Sequence, residues 1–335
     1  MIKDAKKKSF LLVLITIIIL AFIIRKDFSS IFYILTKSNL FIVIISISFV
    51  MIYYSFKALC MFIISQKYNS KVKYKVFLKQ TIITQFFNGI TPFATGGQPM
   101  QIYMLSKENM PVSKATSTVL MDFMAYQIAI ILYCVVTLLF DIKLKIFYGN
   151  TIARNLVILG FLINLFVCFF AFIVCFSKKT TEFILKIISK ILFKFHKEKL
   201  VEKVSVKVSE FHDGTKMFIK DKKLFIKCIF LNICGLTSFY VIPFFLAYAL
   251  FGNFNISILI SIVCSSYVFL VGAFVPIPGG SGGVEYGFIQ FFGVFTKLFS
   301  NSELLALLLL WRFVTYYFGL ILGGIIFSLK KREGD

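Results

Sequence analysis

Long apolar runs alternate with short lysine-rich connectors along this chain. A helix crossing a bilayer core needs about 20 consecutive apolar residues, and six runs qualify: 9–24, 40–64, 116–140, 154–176, 224–251 and 302–328. Two more, 81–105 and 257–298, are apolar but broken in the middle. The breaks run Gly89-Ile90-Thr91-Pro92-Phe93-Ala94-Thr95-Gly96-Gly97 and Gly272-Ala273-Phe274-Val275-Pro276-Ile277-Pro278-Gly279-Gly280. Each places a glycine pair seven residues after a first glycine, with proline between. Proline and glycine cannot sustain a helix there. Hydrocarbon offers the freed N–H and C=O groups no partner, so such breaks persist only inside protein or beside a wet cavity. Paired breaks in the two halves of a membrane chain point to a substrate site.

The connectors set the orientation. The N-terminal lysines, the loop from Lys67 to Lys79, segment 177–227 and the tail Lys330-Lys331-Arg332 are expected on the cytoplasmic side, with the uncharged turn 252–255 outside. Six crossings satisfy these constraints only if each broken run enters and leaves on one side. The predicted fold is therefore an all-α polytopic membrane protein, with six full crossings and two broken or re-entrant segments arranged as an inverted-topology repeat. Residues 1–140 form the first repeat, with its break at 88–99. Residues 154–328 form the second, with its break at 276–283. Two ordinary short spans at 257–275 and 284–298 would keep the same parity. Segment 177–227 holds fourteen lysines against six acidic residues and repeats apolar positions at helical spacing, as a basic amphipathic helix on anionic headgroups does.

Composition supports this reading. The chain is 59% hydrophobic, where a soluble domain is nearer half. Its net charge of +22 lies mostly in the connectors, which the positive-inside rule explains better than a nucleic-acid surface. The seven cysteines are scattered through apolar stretches and carry no C-x-x-C spacing, so neither a zinc site nor a disulfide framework is expected.

Charges are expensive at mid-bilayer, about 2.5–3.5 kcal/mol each on insertion scales, so Asp122, Glu285 and Arg312 are candidate functional residues. Only four of 37 basic residues are arginine, and the planar fork of Arg312 suits a phosphate or carboxylate. It is read as a phosphate ligand, with Glu285 or Asp122 balancing its charge; a buried Arg312–Glu285 pair that locks two helices is the plainer alternative. Asn88, Thr91, Gln98, Gln101 and Ser281 add hydrogen-bonding groups around the breaks. The backbone breaks themselves are assigned to Gly89, Pro92, Gly96, Gly97, Pro276, Pro278, Gly279 and Gly280. Helices starting near Gly97 and Gly283 would aim free N–H groups at an anion. Gln127, Asn164 and Asn232 are read as interhelical hydrogen-bonding residues. His196 and His212 fall in the basic segment, and no catalytic residue, metal or cofactor is expected.

Three motifs in order, residues 88–103, Pro276-Ile277-Pro278-Gly279-Gly280-Ser281-Gly282-Gly283-Val284-Glu285 and Leu310-Trp311-Arg312-Phe313-Val314-Thr315-Tyr316-Tyr317, resemble the lysylphosphatidylglycerol synthase transmembrane, or flippase-like domain, family. The resemblance covers nearly the whole chain. In two-part members a membrane domain translocates aminoacylated phosphatidylglycerol that a soluble domain makes, which protects against cationic antimicrobial peptides. Because the sequence ends at Asp335, the resemblance implies the membrane half: a lipid translocase for an anionic or aminoacylated phospholipid such as lysyl-phosphatidylglycerol, in a bacterial plasma membrane with both termini cytoplasmic. The partners it implies are anionic phospholipids and a separate lipid-synthesising enzyme. The alternatives are a phosphatidylglycerol lysyltransferase, which would use tRNA, and a carrier of polyprenyl-phosphate-linked sugars.

Overall fold

The computed structural model describes residues 28–68, 71–147, 150–176, 221–252, 256–295 and 300–332, whose regular elements are all helical. In chain order these are α1 (Phe28–Thr36), α2 (Leu40–Gln66), α3 (Tyr74–Gly89), α4 (Gly97–Lys107), α5 (Val112–Leu144), α6 (Thr151–Phe176), α7 (Lys222–Tyr240), α8 (Ile242–Phe251), α9 (Ile258–Gly272), α10 (Gly283–Phe292), α11 (Asn301–Arg312) and α12 (Phe318–Arg332). Leu40–Gln66, Val112–Leu144, Thr151–Ile173, Lys222–Phe251 and Asn301–Leu329 are long and apolar enough to cross a membrane. Each overlaps a run predicted from the sequence. The predicted first crossing, 9–24, and the basic segment through residue 220 lie outside the described residues.

The run Lys222–Phe251 bends between α7 and α8, where Pro243 has no N–H to continue the helical ladder. Ser261 of α9 repairs the bend. Its hydroxyl donates to the Tyr240 carbonyl at 2.8 Å and accepts from the Phe244 N–H at 3.1 Å. Ser265 donates to the same carbonyl at 3.2 Å.

Both broken runs are helical hairpins: α3 folds back on α4, and α9 on α10. The return limbs α4 and α10 have 11 and 10 residues, so each rises only about 15 Å, half the thickness of a bilayer core. Neither limb is long enough to be a crossing, which favours broken hairpins over pairs of short spans.

Each hairpin packs on both halves of the chain. Hairpin α3–α4 leans on α12 through α3, and hairpin α9–α10 leans on α5 through α9, so each packs against the last crossing of the other half. Close approach depends on glycine: a side chain at Gly323 of α12 would place its first carbon 2.5 Å from the Ile82 carbonyl of α3. Between them α2 and α7 lie side by side. At one end of this pair the Lys67 ammonium meets the Asp221 carboxylate at 2.5 Å.

Candidate functional site

The two breaks adopt the same local fold. One constant offset carries Pro92 onto Pro278, Thr95 onto Ser281 and Gly97 onto Gly283. Pro92–Ala94 and Pro278–Gly280 are both single 3₁₀ turns, and α4 and α10 begin at Gly97 and Gly283. The two residues after each proline are left-handed: Phe93 and Ala94 at φ 53° and 52°, Gly279 and Gly280 at 66° and 64°. Hydrogen bonds repeat as well. The Ala94 N–H donates to the Thr91 carbonyl at 3.2 Å, and the Gly280 N–H to the Ile277 carbonyl at 2.8 Å. The Thr95 hydroxyl donates to the Pro92 carbonyl at 3.0 Å, and the Ser281 hydroxyl to the Pro278 carbonyl at 3.1 Å.

This register corrects the one suggested by the glycine pairs. Gly96-Gly97 corresponds to Gly282-Gly283, not to Gly279-Gly280. The first break makes its left-handed turn with Phe93 and Ala94, so the turn glycines of the second break have no glycine counterpart. A left-handed conformation costs an L-residue roughly 1–2 kcal/mol, and the first tip carries that strain twice.

The tips pack against each other, and the last crossing ties them together. At the first tip the Gly96 N–H donates to the Thr91 hydroxyl at 2.8 Å, and that hydroxyl donates to the Phe87 carbonyl at 2.8 Å. At the second, the matched Gly282 N–H donates to Glu285 Oε2 at 2.7 Å. Glu285 Oε1 accepts from Arg312 Nε at 2.6 Å and lies 2.6 Å from Nη2, which also donates to the Gly279 carbonyl at 3.0 Å. Glu285 and Arg312 are only 0% and 3% exposed, so this charge pair is held out of water and is compensated almost wholly by its own partners. The guanidinium stacks 4.9 Å from the centre of the Tyr316 ring, and the Tyr316 hydroxyl donates to the Gly89 carbonyl at 2.9 Å. Tyr316 lies in a π-helical turn, Phe313–Tyr317, that begins directly after Arg312; such turns are frequent at functional sites. Among the described residues the Nη1 donors of Arg312 carry no hydrogen bond.

Of the predicted residues, Asn88, Thr91 and Gln98 sit at the first tip, Ser281 and Glu285 at the second, and Arg312 joins the second tip to Tyr316. The buried Asn88 Oδ1 has no hydrogen-bond partner and closes against Gly97, where a side chain would collide with it. Gln101 turns to α2 and donates to Met61 Sδ at 3.4 Å. Asp122 belongs to a separate cluster. On α5 it pairs with Lys57 of α2 at 3.0 Å, and the same ammonium donates to Asn232 Oδ1 of α7 at 3.4 Å and lies 3.9 Å from the centre of the Tyr126 ring. The Tyr126 and Tyr53 hydroxyls are 3.3 Å apart beside it.

Sequence reasoning passed over Lys57. A signal was present, because Lys57 lies more than two turns from the nearer end of α2, too far for its ammonium to snorkel out easily. Asn232, read as an interhelical hydrogen-bonding residue, does bridge α7 to α2: it accepts from that ammonium and donates to Cys60 Sγ at 3.4 Å. Gln127 and Asn164 do bridge α5 and α6, at 3.4 Å. Among the described residues no three His, Cys, Asp or Glu side chains gather as a metal site would require.

Long apolar helices, two broken hairpins meeting at their tips and buried ion pairs define a polytopic helical membrane protein. The chain belongs to the family described as the lysylphosphatidylglycerol synthase TM region, whose pattern matches residues 9–323. It is similar to a UPF0104 membrane protein of Archaeoglobus fulgidus, with 24% identity over 96% of this chain and 97% of the relative.

Proposed function

We propose that the protein is a lipid translocase that moves an anionic or aminoacylated phospholipid between leaflets of the cell membrane. The observation that carries this reading is the meeting of two congruent hairpin tips, joined through Tyr316 and Arg312 of one crossing, the latter paired with Glu285 of the second hairpin. If the two halves lie inverted in the bilayer, with both termini cytoplasmic, the hairpins enter from opposite faces and the tips meet near mid-depth, where alternating-access transporters hold their substrates. Tip residues Asn88, Thr91, Gln98 and Ser281 then line the headgroup path, with Gln101 further along α4. The helix starts at Gly97 and Gly283 turn partial positive charge towards a phosphate. Arg312 supplies its unengaged Nη1 donors, and the phosphate competes with Glu285 for the guanidinium as the tips part. The membrane region of a lysylphosphatidylglycerol synthase, the family's description, fits a phospholipid substrate.

The test is leaflet exchange of fluorescent phosphatidylglycerol and lysyl-phosphatidylglycerol in proteoliposomes, read by chemical quenching. Exchange by the wild type that is lost in Arg312→Ala, in protein that remains monodisperse, supports the reading. Exchange at the wild-type rate in Arg312→Ala removes Arg312 from the path. No exchange of either lipid overturns the proposal, and lysyl-phosphatidylglycerol newly formed in expressing cells would favour the transferase instead.

A further inference from the structure

Two carboxylates are buried among the candidate crossings and hairpins, and they are not equivalent. Glu285 has both oxygens engaged, Oε1 by Arg312 and Oε2 by the Gly282 N–H. Asp122 uses Oδ2 for Lys57, whereas its Oδ1 is buried with no hydrogen-bond partner. That oxygen is a buried acceptor left without a donor, a cost that a new hydrogen bond would remove. The side chain of Lys57 is 15% exposed against 6% for Asp122, so Lys57 is the less enclosed member of the pair.

The surroundings leave Lys57 as the charged group that answers Asp122. From α2 come Lys57, Tyr53 and Cys60; from α7 come Asn232 and Cys228; from α5 itself comes Tyr126. Helices α4, α6 and α9 also pack on α5, and among the described residues none of them brings a charged side chain into an ion pair with Asp122. The cluster spans both halves of the chain, with α2 and α5 from the first and α7 from the second.

We propose that Asp122 is a proton-coupling site that loads as an anionic headgroup binds, an inference that rests on the translocase reading. A proton from the aqueous side adds to Asp122 Oδ1 and the Lys57–Oδ2 ion pair breaks. Lys57 keeps its own protons, steadied by Asn232 and the face of Tyr126, and its ammonium pairs with the lipid phosphate at a station separate from Arg312. The charges balance: the resting pair is neutral, the protonated pair carries one positive charge, and one phosphodiester restores neutrality. No uncompensated charge then enters the bilayer interior. At Glu285 a proton would have to displace either Arg312 from Oε1 or the Gly282 N–H from Oε2.

Titration calorimetry of the detergent-solubilised full chain with dihexanoyl phosphatidylglycerol, in two buffers of different ionisation enthalpy, counts protons taken up on binding. The expected result is about one proton per lipid for the wild type and none for Asp122→Asn, by linkage between the two ligands. Lys57→Met is the second variant: it removes the ammonium that would pass from Asp122 to the phosphate, so uptake coupled to lipid again falls to none. Lipid binding by the wild type without proton uptake overturns the coupling and leaves the translocase reading standing, as does uptake that survives in Asp122→Asn. Failure of the wild type to bind the lipid overturns both.

Discussion

The Tyr316 hydroxyl donates to the Gly89 carbonyl at 2.9 Å across 227 residues of sequence, joining the π-helical turn of the last crossing to the end of the first hairpin's leading limb. Gly89 is the last residue of α3, where a carbonyl has no successor amide to accept from. Tyr316→Phe should therefore leave it unpaired and cost about 1–3 kcal/mol. The expected signature is a lower thermal midpoint with faster amide exchange between Gly89 and Gly97, and unchanged exchange in α6.

Glu285→Ala should be among the most damaging substitutions in the chain. It strands the Arg312 guanidinium in a buried site and frees the Gly282 N–H, a loss of roughly 3–5 kcal/mol. Glu285→Gln should cost less, because its amide oxygen still accepts from Gly282. Thermal unfolding in detergent ranks the two, and equal losses would contradict the geometry.

The matched tips give opposite expectations for the same kind of change. Phe93→Gly releases a left-handed phenylalanine that is 54% exposed and should gain about 0.5–1 kcal/mol after the added chain entropy of glycine. Gly279→Ala adds a carbon 2.5 Å from Tyr316 Cζ at a φ of +66° and should lose about 2 kcal/mol. Chemical denaturation of the two variants beside the wild type checks the contrast in sign.

Ser261→Ala removes one hydroxyl that serves both strands of the α7–α8 bend, donating to Tyr240 and accepting from Phe244. The Ser265 bond to Tyr240 remains, so the expected loss is about 1–2 kcal/mol. Ser261→Thr should recover most of it.

The Lys67–Asp221 contact predicts an acid-sensitive end to the α2–α7 pair. The hydrogen bond from Lys67, followed by that from the Leu224 N–H, holds the Asp221 carboxyl below the usual carboxylate range. A depressed folded-state pKa makes its contribution complete above the ordinary value of about 4 and lost as pH falls through the lowered value. Amide protection at the start of α7 should be flat near neutrality and fall in acid. Asp221→Asn should remove that dependence while keeping the helix cap.

The spans were legible because hydrocarbon length is a strong signal: five predicted crossings return with ends shifted by a few residues. The helix starts at Gly97 and Gly283 were legible from the glycines. The pairing of the breaks was misread because backbone conformation, not residue type, defines the turn, and Phe93-Ala94 hides it. Arg312 and Glu285 could be named as partners, yet Tyr316 could not, since nothing in a tyrosine's spacing announces a carbonyl on a distant hairpin. Lys57 was lost among lysines that mark connectors; its depth within α2, not its identity, sets it apart.

Two hairpins of one shape would, if chemically identical, leave a transporter with no preference between its inward and outward forms. Here the turn at one tip is built from glycine and the other from Phe93 and Ala94, so one half of the machine is wound and the other slack. Any motion that lets the first tip relax is downhill by an amount the second cannot match. On the translocase reading proposed above, the resting direction of the cycle would be set by two residues whose side chains need touch no substrate at all.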